Sequence, residues 1–108
     1  MDGNTLRGHL DLILLSSLEH EPLYGVAIIT KVNERTGGHF TFKEGTLYPA
    51  LHRLEKAGLI TGEFHPAPHG GPPRKYYTLT DKGCSELTRK QKDWQAFSRA
   101  MRPFGGEA

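Results

Sequence analysis

Lys43, Thr46, Tyr48 and His52 fall within ten residues of one another and carry an ammonium, two hydroxyls and an imidazole. Side chains of this kind suit reversible contact with a polyanion, the cation on a phosphate and the hydroxyls or imidazole on a base edge. Arg74 and Lys75 lie at the end of a Pro/Gly-rich run, HPAPHGGPPR, over residues 65–74. They are placed to meet phosphate or the minor-groove side of a duplex. Tyr24 adds a further hydroxyl for a phosphate. A third set, Leu87, Trp94, Phe97 and Met101, is apolar and recurs at helical spacing. It needs cover, and its aromatic members offer a wall on which a flat hydrophobic or cationic molecule can stack.

Bond-making chemistry finds less support. The six histidines, His9, His20, His39, His52, His65 and His69, show no HExxH spacing, and the single cysteine allows no paired CxxC. His65 and His69 are four apart but sit among prolines and glycines, which suits adventitious nickel or zinc binding better than a built site. Cys84 has no evident base and falls on a helix side read as partly buried. There is no GxSxG or Walker A motif, and Gly70-Gly71-Pro72-Pro73 is too proline-rich to cradle a phosphate. The expectation is a protein that binds without catalysing, with no cofactor and no metal.

Periodicity supplies the elements that hold these sets. Thr5–His20 reads as a first helix, with Leu6, Leu10, Ile13, Leu14 and Leu18 inward and Leu12 and Leu15 beside them. Pro22 stops it, because proline disfavours helix in the residue before it. Tyr24–Thr36 reads as a second helix ended by Gly37-Gly38. His39–Phe42 alternates and reads as a short strand. Glu44–Ala57 reads as a third helix on a Leu47, Leu51, Leu54 stripe, with Gly58 after it. Pro49 argues that its regular part starts near Gly45–Leu47, or that this turn is distorted. Leu59–Phe64 and Lys75–Leu79 alternate and flank the Pro/Gly run, which makes a long-looped hairpin. Thr80-Asp81 can cap a last helix that runs to about Arg102, where Pro103 and Gly105-Gly106 end the order.

Helix, helix, short strand, helix, hairpin and long helix make a mainly α protein with a small β-hairpin (α+β). The arrangement is a winged helix-turn-helix plus a C-terminal helix. The expected division is residues 1–80 as a DNA-binding part and 81–108 as a dimerisation helix and tail, in one compact unit. A domain of 108 residues buries only about two-thirds of its unfolded-chain surface, so a dimer interface would help it. Hydrophobic residues are 36 % and charged ones 24 %, which excludes a disordered chain. The longest apolar run, Leu12–Leu15, excludes a membrane span. No secretory signal is legible, and a lone cysteine fits a reduced cytoplasm. The net charge of +2 permits a nucleic-acid partner if the positive charge gathers on one face.

The stretch EGTLYPALHRLEKAGLI (44–60) resembles the signature of the PadR family, the phenolic-acid-decarboxylase repressors. LRGHLDLILLSSL (6–18), PLYGVAIITKV (22–32) and RKYYTLTDKG (74–83) are similar to its first helix, second helix and second wing strand. The resemblance covers nearly the whole chain. It implies a winged helix-turn-helix, a homodimer built by the C-terminal helix, and repression through an operator with two-fold symmetry. One C-terminal helix looks like the short subgroup, which includes multidrug-sensing repressors with a tryptophan lining a hydrophobic pore at the dimer centre. Trp94 sits in a comparable place. The family's second-helix motif often reads His-Gly-Tyr, and Tyr24-Gly25-Val26 departs from it.

Two roles remain open for several residues. Tyr48 packs or touches DNA; His52 reads a base or is simply solvated; the hairpin tip meets phosphate or only water. Trp94 and Phe97 form a platform for a small hydrophobic or aromatic effector, or Trp94 only fills the dimer interface. At the level of function the leading reading is a dimeric repressor on double-stranded DNA. The other is a winged-helix protein-interaction module with no DNA site. Lys43, His52, Arg53, Lys56, Arg74 and Lys75 favour DNA, and Glu44 and Glu55 dilute that signal.

Overall fold

The computed structural model describes residues 3–105, with side chains from His9 onward. The side chain of Leu6, counted above in the first helix's apolar face, lies outside the described residues, as does Gly106. The elements are α1 (Gly3–Ser17), β1 (Leu23–Tyr24), α2 (Gly25–Arg35), α3 (Glu44–Lys56), β2 (Ile60–His65), β3 (Arg74–Leu79) and α4 (Asp81–Met101), followed by a 3-10 turn at Arg102–Phe104. Four helices and a three-stranded antiparallel sheet of order β1-β3-β2 give the α+β winged helix-turn-helix expected from the sequence.

The core is assembled from helix stripes. Leu10, Leu14, Leu15 and Leu18 come from α1 and the turn after it, Ile28 and Val32 from α2, and Leu47, Ala50, Leu51 and Leu54 from α3. The α3 set recurs at i, i+3, i+4 and i+7, so one face of that helix is buried and the opposite face is left to solvent. A Schellman turn ends it: Gly58 N–H donates to Glu55 O and Leu59 N–H to Leu54 O, both at 3.0 Å. Gly58 has φ +79°, a conformation that glycine adopts without the steric cost of a Cβ. Pro49 lies inside α3 and does not delay it. The helix begins at Glu44, earlier than the proline argument predicts, and Pro49 as its sixth residue only omits the donor to the Gly45 carbonyl.

Two other expectations are corrected. His39–Phe42 is not a strand. Its groups are bonded to the end of α2: Phe40 N–H donates to Thr36 Oγ1 (3.0 Å), and Asn33 Nδ2 donates to Thr41 Oγ1 (2.6 Å). Phe42 then plugs into the core. The third strand is instead the two-residue β1, where Leu23 pairs with Tyr77 and Tyr24 with Tyr76. β3 is one residue longer than its alternation suggests and β2 is shifted one residue onward, with His65 opposite Arg74 at the far end.

The start of α4 is docked on the end of α3. Thr80 caps α4, its Oγ1 accepting from Gly83 N–H at 3.0 Å and donating to Gly58 O at 2.6 Å. Leu87, expected to face a second copy, is 3 % exposed and belongs to the protomer's own core. The reason is that the first half of α4 packs on α1 and β3. Past half-buried Gln91 every described residue of α4 is exposed, so the helix leaves the body there. Cys84 is exposed, contrary to the partly buried position read from its spacing.

Candidate nucleic-acid interface

Burial of Leu47, Leu51 and Leu54 turns Lys43, Thr46, Tyr48 and His52 outward, and all four are exposed. Lys43 is the N-cap residue of α3, in extended conformation with ψ 164° and no side-chain cap bond. The first backbone donors of the helix are left for an outside acceptor, and their partial positive charge favours an anion. Gly45 contributes a bare backbone here, with no other group within 4 Å of the place a Cβ would take. Tyr48 both packs and shows: its ring lies against Gly25, the first residue of α2, yet it is 42 % exposed.

At the loop end of the wing strands, Tyr24 and Arg74 come together. The Arg74 guanidinium lies 4.4 Å from the centre of the Tyr24 ring. Tyr76 meets Tyr24 edge-on at 5.4 Å and His65 at 5.5 Å. Stacking of this kind holds a guanidinium plane in place while leaving its N–H edges free. Tyr76 is a member of this cluster that the sequence reading did not assign to it. Its signal was the alternation that puts Tyr76 and Arg74 on one face of β3.

Two cations expected to favour DNA are engaged inside the protein. Lys75 donates to Glu55 Oε1 at 3.0 Å. Arg53 forms a bidentate pair with Asp11 across α1, at 2.7 and 3.0 Å. Lys43, Lys56 and Arg74 make no ion pair among the described residues.

The hydrogen bonds from Arg53 hold the Asp11 carboxyl below its usual pKa, against the opposing effect of burial. A depressed folded-state pKa gives stability that is present above the unfolded-state value of about 3.9 and lost as pH falls through the lower folded value. Asp11→Asn is therefore expected to cost up to about 1 kcal/mol at neutral pH, given the exposure of Arg53. The difference from wild type should close below about pH 3.9. Urea denaturation at pH 7 and pH 3 checks both points.

The second half of α4 presents an apolar stripe. Trp94, Phe97, Met101 and Phe104 are 43, 56, 46 and 81 % exposed. Phe104 lies past Pro103, where the sequence predicts the end of order, and the 3-10 turn carries the stripe onward to it. Trp94 meets His9 edge-on at 5.1 Å and lies 6.0 Å from Phe97. An open cleft of about 620 Å³ separates this part of α4 from α1, walled by His9, Asp11, Leu12, Arg53, Trp94 and Phe97 among others. Among the described residues no three His, Cys, Asp or Glu side chains converge, and no helix is long and apolar enough to cross a membrane.

Known proteins share this layout. A protein of Lysinibacillus sphaericus, itself uncharacterised, is 38 % identical over 92 residues, 85 % of this chain and 84 % of its own. A transcriptional regulator from Clostridium thermocellum superposes with a TM-score of 0.85 at 30 % identity, covering 97 % of this chain and 98 % of its own. Bacillus subtilis PadR, whose structure was solved in complex with operator DNA, superposes with a TM-score of 0.66 at 31 % identity. That match covers 80 % of this chain and 46 % of PadR. The family profile described as "Transcriptional regulator PadR-like family" matches residues 14–89. The chain belongs to the PadR-like family of transcriptional regulators, which are not enzymes.

Proposed function

We propose that this regulator is a homodimeric repressor that binds a two-fold operator through the exposed half of α3 and the Arg74 end of its wing strands. Residues 1–80 act as the reading head and residues 81–108 as the dimerisation segment. The observation that carries the reading is the outward row Lys43, Thr46, Tyr48 and His52 beside the Tyr24–Arg74 pair. Thr46 and His52 read base edges, while Lys43, Tyr24 and Arg74 hold phosphates. The likeness to a PadR solved with operator DNA supports duplex DNA as the partner.

Trp94, Phe97 and Met101 need cover, and a second copy packed about a two-fold axis supplies it. That pairing would set the two reading helices about one DNA turn apart, roughly 34 Å. A small planar hydrophobic effector stacked on Trp94 and Phe97 would then shift the spacing and release the DNA. A panel of planar dyes and drugs tests this last step: saturable quenching of Trp94 emission supports it, and none across the panel removes it.

The duplex reading is tested by gel shift on the gene's own upstream region at two salt concentrations. Binding that outcompetes scrambled duplex and weakens steeply with salt is the expected result. The protein-interaction reading draws some support from the internal pairing of Arg53 and Lys75, which removes two cations from the outer face. No retardation at low salt would favour it.

A further inference from the structure

Lys75 lies on the hairpin face it shares with buried Ile60 and Tyr77, not on the face of Arg74. Its stem crosses the bare backbone of Gly62, where a Cβ would fall 2.2 Å from Lys75 Cε. The ammonium passes 5.9 Å from the centre of the Phe64 ring and 5.4 Å from that of Tyr77. It ends on Glu55 in the last turn of α3, at 3.0 Å. Side chains 32 and 31 % exposed thus join the reading helix to both wing strands.

We propose that Lys75 is a positioning residue for duplex binding, a latch that sets the wing's angle to α3, and not itself a phosphate contact. The proposal rests on the duplex reading above. A helix in the major groove and a wing beside it meet the duplex at two places, so their separation must match the groove. A wing that is free to swing must be ordered when it binds, which weakens affinity and blurs register. A long apolar stem with a terminal ammonium is suited to the task, because it covers Gly62 and still reaches Glu55. The two roles predict opposite signs at Glu55. If Lys75 held a phosphate, Glu55 would compete for it, and removing Glu55 would tighten binding. If Lys75 is a latch, removing Glu55 loosens the wing and weakens binding, although the protein becomes more positive.

The test compares Lys75→Met, Glu55→Ala and Gly62→Ala in the full chain. The three atoms nearest the added Cβ at Gly62 all belong to the flexible Lys75 side chain, so this variant is expected to fold and to displace the latch without changing charge. Anisotropy is read with a labelled duplex of the upstream region and a scrambled duplex over a salt series. Hydrogen exchange of the wing amides is read without DNA. All three variants should weaken upstream binding about threefold to tenfold and narrow its margin over the scrambled duplex. All three should speed exchange in the wing and keep the wild-type salt slope. A slope that drops by about one per copy in Lys75→Met, or tighter binding by Glu55→Ala, assigns Lys75 to a phosphate and overturns the proposal. Unchanged wing exchange in all three also overturns it. A wild-type chain that binds neither duplex at low salt defeats the duplex reading and the positioning role with it, while exchange still reports on the latch contact.

Discussion

Gly83→Ala is expected to destabilise the fold by roughly 3 kcal/mol, at or above the upper end for overpacked sites. Gly83 is buried in the first turn of α4. A Cβ there would lie 1.9 Å from the carbonyl oxygen of Leu59 and 2.9 Å from its carbon. Those atoms are backbone, and they are already committed: Leu59 O accepts from Thr80 N–H at 3.1 Å, and Leu59 N–H closes the α3 terminus. Relief requires α4 to move away from the α3–β2 junction. That movement strains the Thr80–Gly58 bond and the bond from Lys82 Nζ to Ala57 O. Helix propensity points the other way, since alanine is favoured over glycine inside a helix by about 1 kcal/mol. The sign therefore decides between local preference and tertiary packing. Urea denaturation measures it, and a variant as stable as wild type would show that α4 is not seated on Leu59 as described.

Phe97→Asp combined with Met101→Asp is expected to convert the proposed dimer to a monomer and to lower affinity for the upstream duplex by about a hundredfold or more, as linked half-sites become independent. Both side chains lie beyond Gln91, where α4 has left the body, and neither contributes to the protomer core. The fold of the protomer should survive, because the substitutions meet water. The effect falls on association, where two charges per copy would be buried without partners. Sedimentation velocity reads the mass directly. The thermal midpoint of wild type should also rise with protein concentration, and that of the variant should not. A double variant that remains dimeric would move the interface elsewhere on the molecule.

Some features were legible because they are local. The stripe Leu47, Leu51, Leu54 followed by Gly58 marked the third helix, its end and its outward face, and with them the exposure of Lys43, Thr46 and His52, while Tyr48 stayed open between packing and exposure. Pro/Gly punctuation marked the wing, and Thr80 marked the cap of α4. Periodicity works for these because each depends on neighbours within about one or two turns.

The remaining features were decided by partners distant in sequence. Lys75 and Glu55 are 20 residues apart, and Arg53 and Asp11 are 42 apart. Nothing in the local pattern distinguishes a cation bound to such a partner from one left for a phosphate. β1 is two residues long, too short to show alternation, and it is a strand only because β3 lies beside it. The spacing of α4 put Leu87 on one stripe with Trp94, Phe97 and Met101, yet packing on α1 buries the first and leaves the others exposed. The chain by itself determined the helices, the hairpin and most of the faces they show. Folding in three dimensions decided which of those faces meet one another, because burial and ion pairing are set by distance in space and not by position along the backbone.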